Sequence, residues 1–380
     1  LIFIYDSKIE MTYIYKIPMF ILIIIQAVRI LKTRNFLFPN NIKALFLLTS
    51  FSLVSSLWAI NSDMSIANAK TLFLLTSFLL ILYNFLYYEK DSLLKMLKIL
   101  MFAGVVFSIY VILYYGFSNF FEMLNSGARI GEEIDNVNKL GLEAGISFLL
   151  TLFFSIYYNK KYLLLSPLPL LVALGSGSRK VMVLLIIGSF LLLLSKQNRS
   201  KVLTIVKNGI IVVVFLLIVS YLLENFSDIS IVKRMAGFIN GFTNTGGKVD
   251  SSTLARKLFI NAGIHQFWQN PILGIGSANS GYITSSVSIW FTYLHNNYVE
   301  LLATMGIIGF VLFYYNYAYL IVNLVKNKKC NKSFKNFVLI LLFLLLIMDY
   351  GLVSYYSKNT YIYFLIAMLA LGGDNNEQTD

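Results

Sequence analysis

Cysteine, histidine, proline and charged residues are all scarce in this chain of 380 residues. It contains 1 cysteine, 2 histidines and 5 prolines, and charged residues make up only 13% of it. A single cysteine excludes a disulfide framework and, with so few histidines, a Cys/His metal cluster. Soluble domains carry about 25% charged residues, so the composition also excludes an ordinary soluble protein.

Long apolar runs take the place of charge: 58% of the residues are hydrophobic and the mean hydropathy is +0.72. A membrane-spanning helix needs about 20 mostly apolar residues. The sequence therefore predicts an all-α, polytopic membrane helix bundle of about 11 spans, which forms a single integral membrane domain over residues 1–380. The segments lie near 17–31, 42–60, 66–88, 97–116, 140–158, 162–175, 181–195, 202–223, 297–325, 336–353 and 360–372.

The net charge of +13 does not indicate nucleic-acid binding, because the basic residues are scattered between apolar segments. Lysine and arginine concentrate in alternate loops, which the positive-inside rule assigns to the cytoplasm. Residues 224–294 then form one long extracytoplasmic loop, and 117–139 and 175–180 are shorter external segments. The odd number of spans and the initial Leu1 favour a truncated first helix and 12 spans in all; an extracytoplasmic N-terminus near Met11 is the alternative.

His295 is the first candidate for chemistry, since it ends the long loop directly before an apolar helix. Asn296 or Asn297 is suited to cap that helix, whose N-terminus favours an anion. Gly306 and Gly309 suit close packing against a neighbouring helix. The alternative is that His295 only sits at the level of the lipid headgroups.

Two arginines are candidates for binding phosphate, which guanidinium groups contact in a bidentate manner. Arg179 follows "GSGS" at a predicted external turn, where contact with lipid phosphates is the alternative. Arg256 lies in a stretch that predicts an amphipathic helix of about 16 residues at the membrane surface, ended by Asn270 and Pro271. His265, in the last turn of that helix, is predicted to be an interfacial side chain rather than a catalyst.

The external segment 117–139 contains "GARIGEEIDNVNKLG", in which Arg129, Glu132 and Asn138 are candidates for binding an acceptor sugar. The alternative is a solvated loop with an Asx-type helix cap. Metal-ligand spacings and a Walker motif are absent from the sequence, and "GIG" at 274–276 is too weak a signal for nucleotide binding. We therefore expect neither a metal nor a cofactor.

Three motifs taken together resemble the O-antigen polymerase and O-antigen ligase family. They are "GSGSRK" at the turn, an arginine upstream of "WQNPILGIGSANS" in the long loop, and "HNNYVELLATMGIIG" at the start of the next helix. The resemblance covers roughly 170–325 and implies a metal-independent glycosyltransferase of about twelve spans. It also implies that His295 activates the acceptor hydroxyl and that Arg256 and Arg179 bind the donor pyrophosphate. Asn296, next to the histidine, is a further candidate for binding the substrate.

The expected function is polymerisation of a capsule or O-antigen polysaccharide at the outer face of the cytoplasmic membrane. The donor and acceptor are expected to be glycans linked to polyprenyl pyrophosphate, and a chain-length regulator and a flippase are possible partners. A ligase that uses another acceptor is the first alternative. A transporter of lipid-linked glycans is the second; Asp349 is then the main candidate for an intramembrane charge.

Overall fold

A computed structural model describes residues 36–195, apart from Gly127 and Asp135, together with residues 251–372 and six positions between 21 and 32. Within these residues the protein is all-helical, which confirms the predicted fold class. The chain divides into two compact units. The described part of the first unit lies within 95–195. That of the second lies within 36–94 and 251–372 and includes the six positions between 21 and 32.

The described residues form twelve α-helices and two short 3-10 segments, Ser55–Leu57 and Lys160–Leu165. In chain order the helices are α1 Asn40–Val54, α2 Ser62–Leu86, α3 Ser92–Tyr115, α4 Phe117–Ser126, α5 Val137–Tyr157, α6 Pro167–Gly175, α7 Arg179–Ser195, α8 Ser251–Gln269, α9 Ser280–Val287, α10 Asn297–Lys326, α11 Lys332–Asp349 and α12 Lys358–Gly372.

Four of these helices, α2, α3, α5 and α10, are long and apolar enough to cross a membrane. The other segments predicted as spans within the described residues form shorter helices, and 202–223 and most of 17–31 lie outside those residues. The segment predicted at 162–175 is divided: a 3-10 segment precedes Ser166, and α6 begins with Pro167. Proline has no N–H and is favoured in the first turn of a helix, which explains a new start there.

In the first unit, glycines let α5 pack closely on its neighbours. A Cβ at Gly141 would meet the side chains of Ser176 and Val181, and one at Gly145 would lie 3.0 Å from a methyl group of Leu184. The predicted tight turn at 175–180 is present between α6 and α7, with Gly177 at φ +58°. The turn that precedes Arg179 is therefore packed against the N-terminal part of α5 at Gly141.

In the second unit, α10 is broken at Gly306, where φ is 61° and ψ is −166°. The segment 271–276 fills the break. Ile275 and Gly276 donate backbone hydrogen bonds to the carbonyls of Ala303 and Thr304 (3.2 and 2.9 Å), and Ile307 donates to the carbonyl of Pro271 (2.9 Å). The backbone groups that an unbroken helix would pair internally are thus satisfied by the segment that follows α8.

The residues that follow this segment are tied to the C-terminal end of α1 and the start of α2 by a buried polar network. Ser277 donates its N–H to the Ser55 hydroxyl (3.0 Å), and its own hydroxyl accepts from Ser52 and Asn68. The Asn279 side chain accepts from the N–H of Asn61 at 2.7 Å. Each of these polar side chains needs a partner because it lies out of water, so the network fixes the segment in one position.

The break in α10 makes Gly306 intolerant of any side chain. Its backbone lies in a region that only glycine adopts readily, and an added Cβ would collide with the carbonyl of Ile272. We expect Gly306→Ala to lower the thermal midpoint of the purified protein in detergent sharply or to prevent its accumulation. Gly116→Ala is the control, because Gly116 has φ +76° but nothing within 4 Å of the added Cβ. It should cost only about 1–2 kcal/mol of backbone strain; equal losses in the two variants would contradict the steric argument.

Candidate active site

The junction between the long loop and α10, residues 293–300, holds His295 in contact with two aromatic rings. The imidazole stacks on Phe259 of α8, with ring centroids 6.2 Å apart and planes at 13°. It also contacts Tyr293, whose ring centroid lies 4.2 Å away. His295 has φ +57°, a left-handed conformation that is uncommon for any residue except glycine. The half-buried imidazole is therefore held by its backbone conformation and by its contacts with two aromatic rings.

Asn296, rather than Asn297, caps α10. Its side-chain oxygen accepts from the N–H of Val299 at 3.1 Å, and its carbonyl accepts from the N–H of Glu300 at 2.9 Å. This cap satisfies part of the first turn, and the helix dipole still favours negative charge at that end. His295 thus immediately precedes a helix N-terminus, which is a suitable position for binding an anion.

Arg256 lies beside the same junction. It is half-buried on α8, one turn before Phe259, and it acts electrostatically on the Tyr293 hydroxyl. Burial raises the pKa of Tyr293 above its ordinary value; Arg256 opposes the shift and Glu300 adds to it. The hydroxyl therefore remains protonated at neutral pH and is able to donate a hydrogen bond.

Close packing between α8 and the first turn of α10 positions these groups. A small core of Phe259, Ile275, Ile283, Leu294, Val299 and Ala303 lies beneath the junction. At Gly263 an added Cβ would come within 2.6 Å of Val299 and 2.7 Å of Leu294. The predicted helix is present with the expected end before Asn270, and His265 lies exposed on its opposite side, away from His295.

Asn297 connects the start of α10 to the connection between α11 and α12. Its amide donates to the Tyr314 hydroxyl (2.9 Å) and to Asp349 (3.3 Å), while its oxygen accepts from the N–H groups of Ser354 and Tyr355 (2.9 and 3.1 Å). Asp349 also accepts from the hydroxyls of Ser354 (2.6 Å) and Tyr314 (2.9 Å). All of the polar capacity of the Asn297 side chain is used, so it anchors the helix start from within the protein.

A second cluster of candidate residues lies in the first unit, around the turn before Arg179. Arg129 donates from Nε to the Ser176 carbonyl (3.1 Å) and from its terminal nitrogen to Asn138 (3.4 Å). The Ser178 hydroxyl donates to the same Asn138 oxygen at 2.9 Å. Arg129 and Asn138 thus brace the turn that ends in half-buried Arg179, while Glu132 is exposed.

The seven residues predicted for the site fall into two groups. His295, Arg256 and Asn296 come together in the second unit, and Arg129, Asn138 and Arg179 come together in the first, with Glu132 in the same loop. Sequence reasoning missed Phe259, Tyr293 and Glu300. One feature of the sequence could have indicated Glu300: it is a carboxylate five residues after His295 in an otherwise apolar helix. Among the described residues there is no group of three or more His, Cys, Asp and Glu that could hold a metal ion.

The fold and the candidate site define a class: a polytopic helical membrane protein in which a histidine and an arginine meet at the start of a broken helix. Residues 162–314 match a family model described as O-antigen ligase. This match confirms the family resemblance predicted from the sequence, and it spans Arg179, Arg256 and His295. Among curated proteins no significant match was found.

The contacts of Asn297 predict a large effect on stability. Asn297→Ala should leave Asp349 and two backbone N–H groups short of partners, and each buried unsatisfied group costs about 1–3 kcal/mol. We expect a clear drop in the thermal midpoint of the protein in detergent. The control is Asn323→Ala, since the Asn323 amide donates only to the Tyr319 carbonyl of its own helix. A drop no larger than that of the control would argue against the anchoring role.

Proposed function

We propose that this protein is a bacterial polysaccharide polymerase that acts on capsule or O-antigen repeat units. It would transfer a growing glycan from polyprenyl pyrophosphate to a lipid-linked repeat unit, without a metal or cofactor. The observation that carries the proposal is the junction itself. His295 contacts Phe259 and Tyr293, and Arg256 acts electrostatically on Tyr293, inside the region that matches the O-antigen ligase family.

The length of α10 supports a site at the membrane surface. The residues from Gly306 to Lys326 advance about 30 Å at 1.5 Å per residue, which equals the hydrocarbon thickness of a bilayer. With the lysine-rich loop after Lys326 in the cytoplasm, the break at Gly306 would lie at the outer hydrocarbon boundary. His295 would then lie above it, at headgroup level and facing outside, where a lipid-linked pyrophosphate and a water-soluble sugar can meet.

The proposed reaction is a displacement at the anomeric carbon of the donor glycan. The acceptor hydroxyl oxygen forms the new bond to that carbon, and its proton passes to the neutral imidazole of His295. The bond from the anomeric carbon to the pyrophosphate oxygen breaks, and the electron pair leaves with the polyprenyl pyrophosphate. Because that leaving group needs no proton, the site requires no second carboxylic acid of the kind that glycosidases use.

Negative charge grows on the pyrophosphate as this bond breaks, and fixed cations stabilise it best where water is partly excluded. We assign this task to Arg256 and to Arg179. In this proposal the Tyr293 hydroxyl, whose pKa is raised by burial, donates a hydrogen bond to the same group. The acceptor would be bound by Glu132 and Asn296. Arg129 and Asn138 would contribute to substrate binding indirectly, because their hydrogen bonds hold the turn before Arg179.

Two alternatives use the same lipid-linked glycan. A ligase would transfer it to an acceptor other than a repeat unit. A transporter would move it across the membrane, and Asp349 would be its functional intramembrane charge. The three side chains that donate to Asp349 tie it into the fold, which favours an enzyme over a transporter. A chain-length regulator and a flippase remain the proposed protein partners.

The first test is His295→Ala, assayed with purified protein and lipid-linked repeat units in detergent. Loss of the base should reduce chain elongation by about 10²–10⁴-fold. The control is His265→Ala, which removes the other histidine from the exposed side of α8 and should leave elongation unchanged. Normal glycan ladders from His295→Ala would remove the base assignment. Glycan movement across vesicles without elongation by the native protein would favour transport.

The second test is Arg256→Lys, which keeps the charge but loses the bidentate geometry of guanidinium. We expect at least about a tenfold loss in kcat, because a contact that strengthens in the transition state affects that parameter. Lys257→Ala, a change at the exposed neighbouring position on α8, is the control and should have little effect. Near-native activity of Arg256→Lys would show that only the charge is needed.

A further inference from the structure

Glu300 is a buried carboxylate that the proposed reaction does not use. Its side chain is 1% exposed, although it lies in the first turn of α10, five residues after His295. One carboxylate oxygen accepts from the backbone N–H of Leu294 at 2.8 Å, and the Ser280 hydroxyl of α9 also bonds to the side chain. An ionisable group is rarely placed in such surroundings without a structural or functional reason.

The hydrogen bond to Leu294 reaches back over the helix N-terminus to the residue before His295. On the other side of the histidine, Asn296 is fixed by its cap to the N–H of Val299. The backbone is thus held immediately before and immediately after His295, which itself adopts the strained left-handed conformation at φ +57°. A non-glycine residue keeps such a conformation only where its surroundings enforce it.

Glu300 also lies close to the other groups that surround the imidazole. It acts electrostatically on Tyr293, and on Tyr355 and Tyr356 in the connection between α11 and α12. Tyr293 in turn packs against the His295 ring at 4.2 Å. The buried carboxylate of α10 is therefore bonded both to Ser280 of α9 and to Leu294 in the loop before His295.

We propose that Glu300 is a positioning residue for His295: its carboxylate oxygen, by accepting from the Leu294 N–H, fixes the backbone that aims the imidazole at the acceptor hydroxyl. The inference rests on the proposed catalytic role of His295. What Glu300 contributes is an acceptor atom at a given distance. Its negative charge is not required.

Two conservative variants separate the acceptor from the charge. Glu300→Gln keeps the chain length and an acceptor oxygen but removes the charge, whereas Glu300→Asp keeps the charge but shortens the side chain by one methylene. We expect Glu300→Gln to retain kcat within about threefold and Glu300→Asp to lose about tenfold or more, with the donor KM unchanged in both. The reverse order, equal losses, or no loss in either variant would overturn the proposal.

A second measurement does not depend on turnover. The chain has 2 histidines, so NMR of the histidine-labelled full-length protein in detergent gives one signal for each, assigned with His265→Ala. Glu300→Asp should shift the His295 signal and leave the His265 signal in place, while Glu300→Gln should shift neither. An unchanged His295 signal in Glu300→Asp would overturn the positioning role. If His295→Ala proved active but the signal still shifted, the proposed function would fail while the coupling of Glu300 to His295 stood.

Discussion

The candidate site depends on the way in which the break at Gly306 is filled. A break in a membrane helix exposes backbone groups that cannot remain unpaired where water is absent. Here Ile275, Gly276 and Pro271 supply the missing partners. Because the same stretch continues into the buried network of Ser277 and Asn279, the break is joined to α1 and α2 as well as to α8. The first turns of α10 are thereby held as a separate short helix before the break, and His295 directly precedes the cap of that helix.

This arrangement explains why aromatic, small and polar residues alternate so closely in the loop-to-helix region. Gly263 lets α8 approach Leu294 and Val299, and that approach brings Phe259 under the imidazole. Asn297 satisfies the backbone of Ser354 and Tyr355. Each contact restrains a different side of one short segment. A residue that must take a proton from a substrate hydroxyl needs this restraint, since proton transfer requires a heavy-atom separation of about 2.6–3.2 Å.

Much of this organisation could be predicted from the sequence, because membrane spans and helix ends have local signals. Apolar length predicted the helical fold class, Asn270 and Pro271 predicted the end of α8, and the glycine–serine pattern predicted the turn before Arg179. The positions of Glu300 and Tyr293 could not be predicted in this way. Their roles arise from contacts between elements, and a carboxylate that bonds a backbone N–H six residues earlier leaves no periodic pattern. The left-handed conformation of His295 could not be predicted from the sequence either, because neighbouring residues in the fold enforce it.

In the proposed reaction, an imidazole suits this position better than a carboxylate does. A carboxylate base at a helix N-terminus would be stabilised in its charged form by the helix dipole and by Arg256, which would weaken it as a base. A neutral imidazole is not stabilised in this way, and in the proposed scheme it gains its proton only as negative charge develops on the leaving pyrophosphate nearby. Arginine and histidine near one helix N-terminus are then compatible. The guanidinium group stabilises the leaving pyrophosphate, while the imidazole takes the proton of the acceptor hydroxyl. Glu300 lies buried behind the backbone of the junction and accepts the hydrogen bond from the Leu294 N–H. In the proposed scheme it fixes the geometry of the junction, while His295 carries out the proton transfer.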